Sequence, residues 1–418
     1  MLQKLTGLFY GWRMVAASAA VRLLGAGLHS YGFTVFFLPL SQELNLSRTA
    51  TSFAFSLARA EGAIEGPIVG HLLHRYGPRP VMLIAVSLMG VGYLLLSQAH
   101  TYVVFLIVYT GLISLAHAGG FMHAPMTLTN TWFIRLRARA MTINSAAYGL
   151  GGVLLAPLLS VIVHSWGWRW GAAAAGMAFL LIGIPLCLTI RNSPESMGLL
   201  PDGESIAPTA GNKLTTRPAA AEVEVTAGQA IRSYAFWALV FGAGVRNASY
   251  HAISTHFIPL MVWKGMSQHE ATLLLSAFAF LGFTSTLIIG WLADSMNKPR
   301  LVSMILFTAG VSICFLLFAD SILLLMVFIL LFTTVEATYP IAWAMVGDLF
   351  GRKHFPKIRG YMSMFYVWGS VIGPVIAGAV WDRWQTYEPM LWGLVGMFFL
   401  SGVFYSLLGK PWARPKTS

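Results

Sequence analysis

Twelve long apolar runs, separated by short polar breaks, occupy nearly the whole chain, at about 12–38, 50–73, 80–98, 103–129, 138–163, 168–190, 235–262, 271–293, 300–319, 321–347, 358–380 and 388–408. A helix needs roughly 20 apolar residues to cross a bilayer. The runs reach that length, contain internal glycine and lack period-two alternation, so they predict spanning helices rather than barrel strands. The first run is too long, and its basic flank too sparse, for a cleaved signal peptide. One longer polar stretch, 191–232, divides the chain into halves of near-equal length. Its 203–228 portion is rich in Ala, Pro, Thr and Glu and poor in large apolar residues, which predicts a flexible linker. The pattern therefore predicts an all-α integral membrane protein. Its twelve transmembrane helices form two pseudo-symmetric six-helix halves, 1–190 and 233–418, joined by the linker 191–232.

A polar signature recurs six spans apart. Gly70-His71-Leu72-Leu73-His74-Arg75-Tyr76-Gly77-Pro78-Arg79 closes span 2. Gly290-Trp291-Leu292-Ala293-Asp294-Ser295-Met296-Asn297-Lys298-Pro299-Arg300 closes span 8. Span 1 carries Val21-Arg22 and ends Leu38-Pro39-Leu40, while span 7 carries Val245-Arg246 and ends Ile258-Pro259-Leu260. Span 5 has Gly151-Gly152 before Pro157, and span 11 has Gly369 and Gly373 before Pro374. Glycine lets membrane helices approach closely, and a nearby proline marks a bend that neighbours tolerate. A duplicated six-helix unit of this kind is the plan of a secondary transporter, with substrate held where the halves meet.

Composition narrows the class. The chain is 57% hydrophobic and 10% charged, against about a quarter charged in soluble proteins. The net charge of +12 raises the question of nucleic acid, and its distribution answers it. With the even loops inside, 20 of the 27 Lys and Arg fall on the cytoplasmic side, and only Arg48, Arg169, Lys264 and Arg383 lie in outer loops. That bias places both termini and the linker in the cytoplasm, and favours anionic lipid over nucleic acid as the partner. Cys187 and Cys314 lie in different halves and read as small apolar residues, not as a disulfide or metal pair. Trp132, Trp166, Trp168, Trp263 and Trp384 lie near span ends, where the interfacial aromatic belt accounts for them. There is no phosphate-binding Gly-Lys-Ser/Thr loop, Cys/His ligand set or nucleophile motif, so no enzyme, no ATP-driven pump, no metal and no cofactor are expected.

Further segments bring the chain close to a known family. Tyr10-Gly11-Trp12 opens span 1, and Gly167-Trp168-Arg169-Trp170 joins spans 5 and 6. Pro194-Glu195, Gly198 and Pro201-Asp202-Gly203 follow span 6. Phe350-Gly351-Arg352-Lys353-His354-Phe355 and Ile358-Arg359-Gly360 precede span 11. With the Gly loops, these make the chain resemble the major facilitator superfamily over its full length. Within it, the chain looks like the branch of monocarboxylate transporters and oxalate/formate antiporters. The resemblance implies alternating access, a cavity lined by spans 1, 4, 7 and 10, and function as a monomer. It also implies a cytoplasmic gate at Gly70, His74, Arg75, Gly77, Arg79, Gly290, Asp294, Asp348, Arg352 and Arg359. Three departures stand out. His74 replaces an acid that helps lock the halves, so the lock is expected to be weaker or pH-sensitive. Thr286 stands where many carboxylate members have an arginine. Span 11 has no lysine, unlike the oxalate carriers.

Charge in mid-bilayer is costly and points to function. Span 1 has Arg22 and His29, seven residues apart on one face. Span 4 has His117 and His123. Span 7 has Arg246, Asn247, Tyr250 and His251, then His256, and span 10 has Thr333, Glu336 and Tyr339. Arginine is always charged and forks onto a carboxylate. Arg22, Arg246 or both are therefore candidate anchors of an organic anion, with His29, His117, His123, Asn247, Tyr250, His251 and Tyr339 as further substrate-binding candidates. The competing reading is an internal ion pair, such as Arg246 with Glu336, that only latches the halves. Buried carboxyls take protons near neutrality, so Glu336 and Glu61 are candidates for proton coupling, while Glu65 before Gly66-Pro67 fits a local cap or pair. The histidines fit either interhelical contacts or proton carriers. The expected function is carriage of a small organic anion of the monocarboxylate kind, by proton-coupled symport or by anion exchange. The alternatives are an exporter of hydrophobic or drug-like compounds, and a receptor that has kept the fold without transport.

Overall fold

The computed structural model describes residues 9–32, 35–36, 39–40, 43, 65–203 and 224–408. Glu61, Arg59 and most of the proposed flexible linker lie outside the described residues. Within them the chain is helical and no strand occurs. Helix α1 runs Tyr10–Gly25 and continues as the π-wound Ala26–Tyr31. Helix α2 is described over 65–76. Next come α3 (Pro78–Ser97), α4 (Tyr102–Trp132), α5 (Arg137–Trp166) and α6 (Trp168–Thr189). Helix α7, Tyr234–Thr255, breaks at His256 and resumes as Phe257–Trp263. Then follow α8 (Gln268–Ala293), α9 (Lys298–Leu317), α10 (Ile322–Phe350), α11 (Phe355–Trp384) and α12 (Glu388–Leu407). Among the described residues, nine helices are long and apolar enough to cross a membrane.

Local chemistry sets the helix ends. Proline occupies the first turn of α3, α9 and α12, where its missing N–H costs nothing. Ser267 and Glu270 form a reciprocal capping box at the start of α8. Gly77 turns the chain from α2 into α3 at φ 80°, a backbone region that a side chain resists.

The chain forms two compact units. The first comprises the described residues up to Ala227 together with Val346–Gly360; the second comprises Gly228–Met345 and the chain from Tyr361 onward. In the first unit α1 packs on α5, and α3 on α6. Met82, Val86, Met89 and Tyr93 of α3 join Phe121 of α4 and Phe179 of α6 in its core. In the second unit α12 packs on α7 and α9, and α8 lies against the middle of α10. Large apolar side chains stay exposed on outer faces, such as Val161 at 63% and Leu323 at 70%, as lipid contact requires.

The repeated glycines do the same work in both units. A Cβ on Gly151 of α5 would strike Leu23 O of α1 and come within 3.0 Å of Gly27 N. A Cβ on Gly369 of α11 would strike Gly244 O of α7 and come within 3.0 Å of Ala248 N. Backbone touches backbone at each crossing. Helices α5 and α11 run unbroken through Pro157 and Pro374.

Two of the tryptophans assigned to the interfacial belt are core residues instead. Trp132 is fully buried and its indole N–H donates to Arg191 O at 3.1 Å. Trp168 is also buried and donates to the Glu43 carboxylate. A polar partner within reach of each indole N–H lets the ring be buried whole. Trp166 and Trp384 are more than half exposed, as a belt residue is.

Candidate functional site

The second unit holds a buried cation. Arg246 lies on α7 at 6% exposure. Its Nε donates to Thr338 Oγ1 at 3.1 Å, Nη1 to Asn247 Oδ1 at 2.9 Å, and Nη2 to Val335 O at 2.9 Å. Its guanidinium carbon sits 4.9 Å from the centre of the Tyr250 ring, one turn on. Every one of these partners is neutral. Among the described residues Arg246 makes no ion pair, so the ion pair with Glu336 of the competing reading does not form. Glu336 instead accepts a hydrogen bond from Tyr250 OH.

The winding of α10 explains the arrangement. Residues Thr333–Ala337 tighten into a 3₁₀ turn in mid-helix, a winding often found at functional hinges. There Val335 O accepts from Thr338 Oγ1 at 2.6 Å as well as from Arg246. Tyr250 lies flat on Phe332, with 3° between the rings, which fixes its hydroxyl toward Glu336. His251 packs edge-on against Tyr250, and Tyr339 packs against Trp343, one turn along α10. A guanidinium has five N–H donors. Three are used, which leaves one on each terminal nitrogen.

The first unit holds the other arginine and three histidines. Arg22 is 2% exposed, with Nη2 4.0 Å from Met122 Sδ and its guanidinium 5.4 Å from the Tyr148 ring. His29 and His117 lie with ring centres 4.6 Å apart. His123 is buried, and its Nδ1 has no hydrogen-bond partner among the described residues. By contrast His256 bonds Tyr387 OH at 3.1 Å and Pro374 O at 3.2 Å, an interhelical contact at the break in α7.

Of the expected gate residues, Gly70 and His74 meet the 346–360 segment that carries Asp348, Arg352 and Arg359 in the first unit. Asp348 pairs with Arg137 at 2.6 Å, and Arg137 is almost wholly buried. Arg352 bonds Glu195 at 2.8 Å and Thr131 O at 2.9 Å, and Lys353 bonds Glu224 at 3.1 Å. Arg359 donates to Met122 O and His123 O. His74 bonds Lys353 O at 2.9 Å and stacks on His354 at 4.9 Å. A Cβ on Gly70 would press on Pro356 O, and the backbone N–H of Arg79 donates to Asn192. Arg75 lies over the Tyr76 ring. Gly290 and Asp294 belong to the second unit, where Asp294 caps the end of α8. Burial holds the His74 and His354 imidazoles below the usual histidine range, and neighbouring Lys353 and Lys357 add to it. Burial pushes the Glu195 carboxyl up, but hydrogen bonds from its own backbone and from Arg352 bring it net below its usual range.

Sequence reasoning missed several partners. Arg137, Glu195 and Asp202 had been read only as topology or motif residues. The Asp202 carboxylate accepts from the backbone N–H of Ile134, Arg135 and Leu136, at 3.0, 2.8 and 3.3 Å. Arg169 of the Gly-Trp-Arg-Trp segment donates to Ser97 O and Ala99 O and pairs with Glu43. Arg352 and Glu195 carried a signal, since each lies in one of the motifs quoted for the resemblance and they pair with each other. Thr338 and Tyr93 gave no such signal. Among the described residues, no group of three or more His, Cys, Asp or Glu is placed to hold a metal ion.

A helical membrane chain with a duplicated glycine loop and buried arginines in both halves is an integral multi-pass transporter of small molecules. The family model described as Major Facilitator Superfamily matches residues 15–267 and 247–418. The chain belongs to the Major Facilitator Superfamily, a family of transporters rather than enzymes, and has its twelve-helix fold of two six-helix halves. It is 26% identical to human monocarboxylate transporter 11 over 428 residues, covering 97% of this chain and 84% of that protein. It is 32% identical to the fujikurins efflux protein of Gibberella fujikuroi over 146 residues, which is 34% of this chain and 31% of that protein. Among solved structures, the E. coli fucose:proton symporter FucP matches with a TM-score of 0.73 at 13% identity, covering 94% of this chain and 98% of that one.

Proposed function

We propose that the protein carries small organic anions of the monocarboxylate class by alternating access, with protons as the coupling ion. The observation behind this is Arg246. It is buried among neutral partners, with one N–H left on each terminal nitrogen. A carboxylate accepts such a pair with its two oxygens. Burying an uncompensated charge costs several kcal/mol or more, which an arriving anion offsets. Asn247 and Tyr250 flank the guanidinium as further binding residues, with His251 and Tyr339 beside them. Arg22 is the counterpart in the N-terminal half, with His117 within electrostatic reach of it, and His123, whose backbone oxygen takes Arg359, is a further candidate. The likeness to human monocarboxylate transporter 11 over 97% of the chain supports the same substrate class. The arginine and lysine bias supports both termini cytoplasmic, and on this reading the membrane is a plasma or bacterial inner membrane. The protein works as a monomer on this reading, with the Gly70–Arg79 loop and the 346–360 cluster as its cytoplasmic gate.

A second reading is export of hydrophobic compounds, which the local likeness to the fujikurins efflux protein supports. Carriers of cations call for acidic excess, and two buried arginines argue the other way. The test is uptake of labelled pyruvate, lactate, acetate, formate and oxalate by purified protein in proteoliposomes, with and without an inward proton gradient. Uptake stimulated by the gradient supports the proposal. Silence across the panel in folded protein, with movement of a hydrophobic dye, overturns it in favour of export.

A further inference from the structure

The first unit contains a second polar cluster that anion binding at Arg246 does not use. Helix α1 changes from α to π winding over Ala26–Tyr31, and α4 does so over Tyr109–Ser114 and His117–His123. Single π turns inside long helices cluster at functional sites, because they re-aim the side chains that follow. Here they bring His29 of α1 and His117 of α4 together, with ring centres 4.6 Å apart. His29 Nδ1 lies 3.0 Å from Tyr93 OH, and Tyr93 OH donates to Leu28 O at 3.2 Å. A phenol has one proton. Tyr93 therefore accepts from His29, which places the proton of neutral His29 on Nδ1. His117 Nε2 bonds Ser30 Oγ at 3.1 Å, and its Nδ1 makes no hydrogen bond to a described residue.

The surroundings fix what such a pair does. Helix α3 presents Tyr93, α4 presents Tyr109, and α6 presents the apolar Phe179. Helix α5 adds Tyr148, which lies against Arg22 rather than the imidazoles. Among the described residues, Arg22 of α1 is a charged group within electrostatic reach of His117, and it is linked to His117 through Met122 and Phe121. Two imidazoles this close share a proton more readily than they hold two.

We propose that the His29–His117 pair is the proton-binding site of the transport cycle, taking one proton together with one organic anion. This rests on the anion-transport reading above. A proton on the pair adds positive charge beside Arg22, which favours an anion. By reciprocity the anion raises the affinity of the pair for the proton. One proton and one monocarboxylate enter together, so no net charge moves. Glu336, bonded to Tyr250 in the other unit, then orients that tyrosine and does not carry the coupling proton.

The experiment compares two modes in proteoliposomes with labelled lactate and pyruvate. Gradient-driven uptake needs net proton movement; exchange against internal unlabelled substrate does not. His29→Gln, His117→Gln and the double variant lose gradient-driven uptake by about tenfold or more, within the usual range for coupled sites. They keep exchange, whereas Glu336→Gln, acting through Tyr250, changes the two modes alike. Gradient-driven uptake that persists in the double variant overturns the proposal. If the wild-type protein carries none of these anions, the substrate reading fails separately. The proton site is then read by histidine NMR of the purified protein over a pH series. Two imidazoles that titrate as a coupled pair, and vanish in His117→Asn, support the proposal; independent titration of the two overturns it.

Discussion

Arg246→Gln removes the proposed anion anchor with little change of shape. In the free protein the loss is small. Val335 O keeps the Thr338 hydroxyl at 2.6 Å, so the backbone acceptor is not orphaned when the guanidinium leaves. With substrate bound, the variant forfeits two charge-assisted hydrogen bonds, each worth about 1.5–3 kcal/mol. The glutamine amide returns about 1 kcal/mol of that by one neutral bond. The net loss of about 2–5 kcal/mol corresponds to about thirtyfold to several thousandfold in substrate affinity. The assay has two arms. Thermal unfolding in detergent, with and without a carboxylate at high concentration, should give a ligand-induced rise for the wild-type protein. At about 100 times the dissociation constant that rise reflects about 2.7 kcal/mol. The variant should unfold near the wild-type temperature without ligand and show at most about a third of the wild-type rise with it. Uptake in proteoliposomes should show the same loss as a raised KM. A variant with wild-type KM but a much lower unfolding temperature refutes the reasoning and makes Arg246 a latch.

The other predictions concern the frame. Asp348→Asn leaves Arg137 charged and buried; about 3–5 kcal/mol is typical for a fully buried pair, and the partial exposure of Asp348 brings the cost nearer to about 2 kcal/mol. Hydrogen exchange over 346–360 should speed up, and unchanged exchange would remove this pair from the gate. His74 and His354 are held neutral by burial, so their folded-state proton affinity lies below that of the unfolded chain, near 6.5. Their contribution to stability is complete above that pH and lost as pH falls through the lowered folded value. Exchange over 351–357, corrected for its intrinsic rate, should therefore rise on acidification, and His74→Gln should flatten that response. Gly369→Leu pushes a side chain onto Gly244 O of α7 and should lower the unfolding temperature, by at least the about 1–3 kcal/mol of ordinary overpacking. Gly393→Ala on α12, where nothing lies within 4 Å, should leave the unfolding temperature unchanged or raise it.

Apolar run length and the repeated glycine loop made the helices and their duplication legible, because a bilayer demands both length and internal hydrogen bonding of every span. The buried arginines were legible for the same reason, since charge inside an apolar run is conspicuous. Their partners were not. Arg246 finds Thr338 and Val335, about ninety residues away, because α10 tightens into a 3₁₀ turn, and nothing in Thr333–Ala337 announces that winding. The π turns that bring His29 to His117 are equally silent in composition. The belt assignment of Trp132 and Trp168 failed for a related reason. Position near a span end suggests an interface, but a carbonyl or carboxylate within reach of the indole N–H allows full burial.

The repeat conserves backbone contacts and diverges in chemistry. Gly151 of α5 against α1 and Gly369 of α11 against α7 make the same backbone crossing, with the same 3.0 Å approach to the neighbouring helix nitrogen. An arginine follows a valine in each, Val21-Arg22 on α1 and Val245-Arg246 on α7, but relative to these crossings the two lie three residues out of register. Yet Arg22 meets a thioether and a tyrosine ring, whereas Arg246 meets a hydroxyl, an amide and a carbonyl. The histidines that take π turns occur in α1 and α4, while α7 and α10 answer with Tyr250 and Glu336. A duplicated frame with unlike polar fillings suits a division of labour, in which one half sets the anion and the other the proton. A double-mutant cycle of Arg246→Gln with His117→Gln measures it. Coupling of the two sites appears as losses in gradient-driven uptake that fail to add, and strict additivity would mean the two halves act independently.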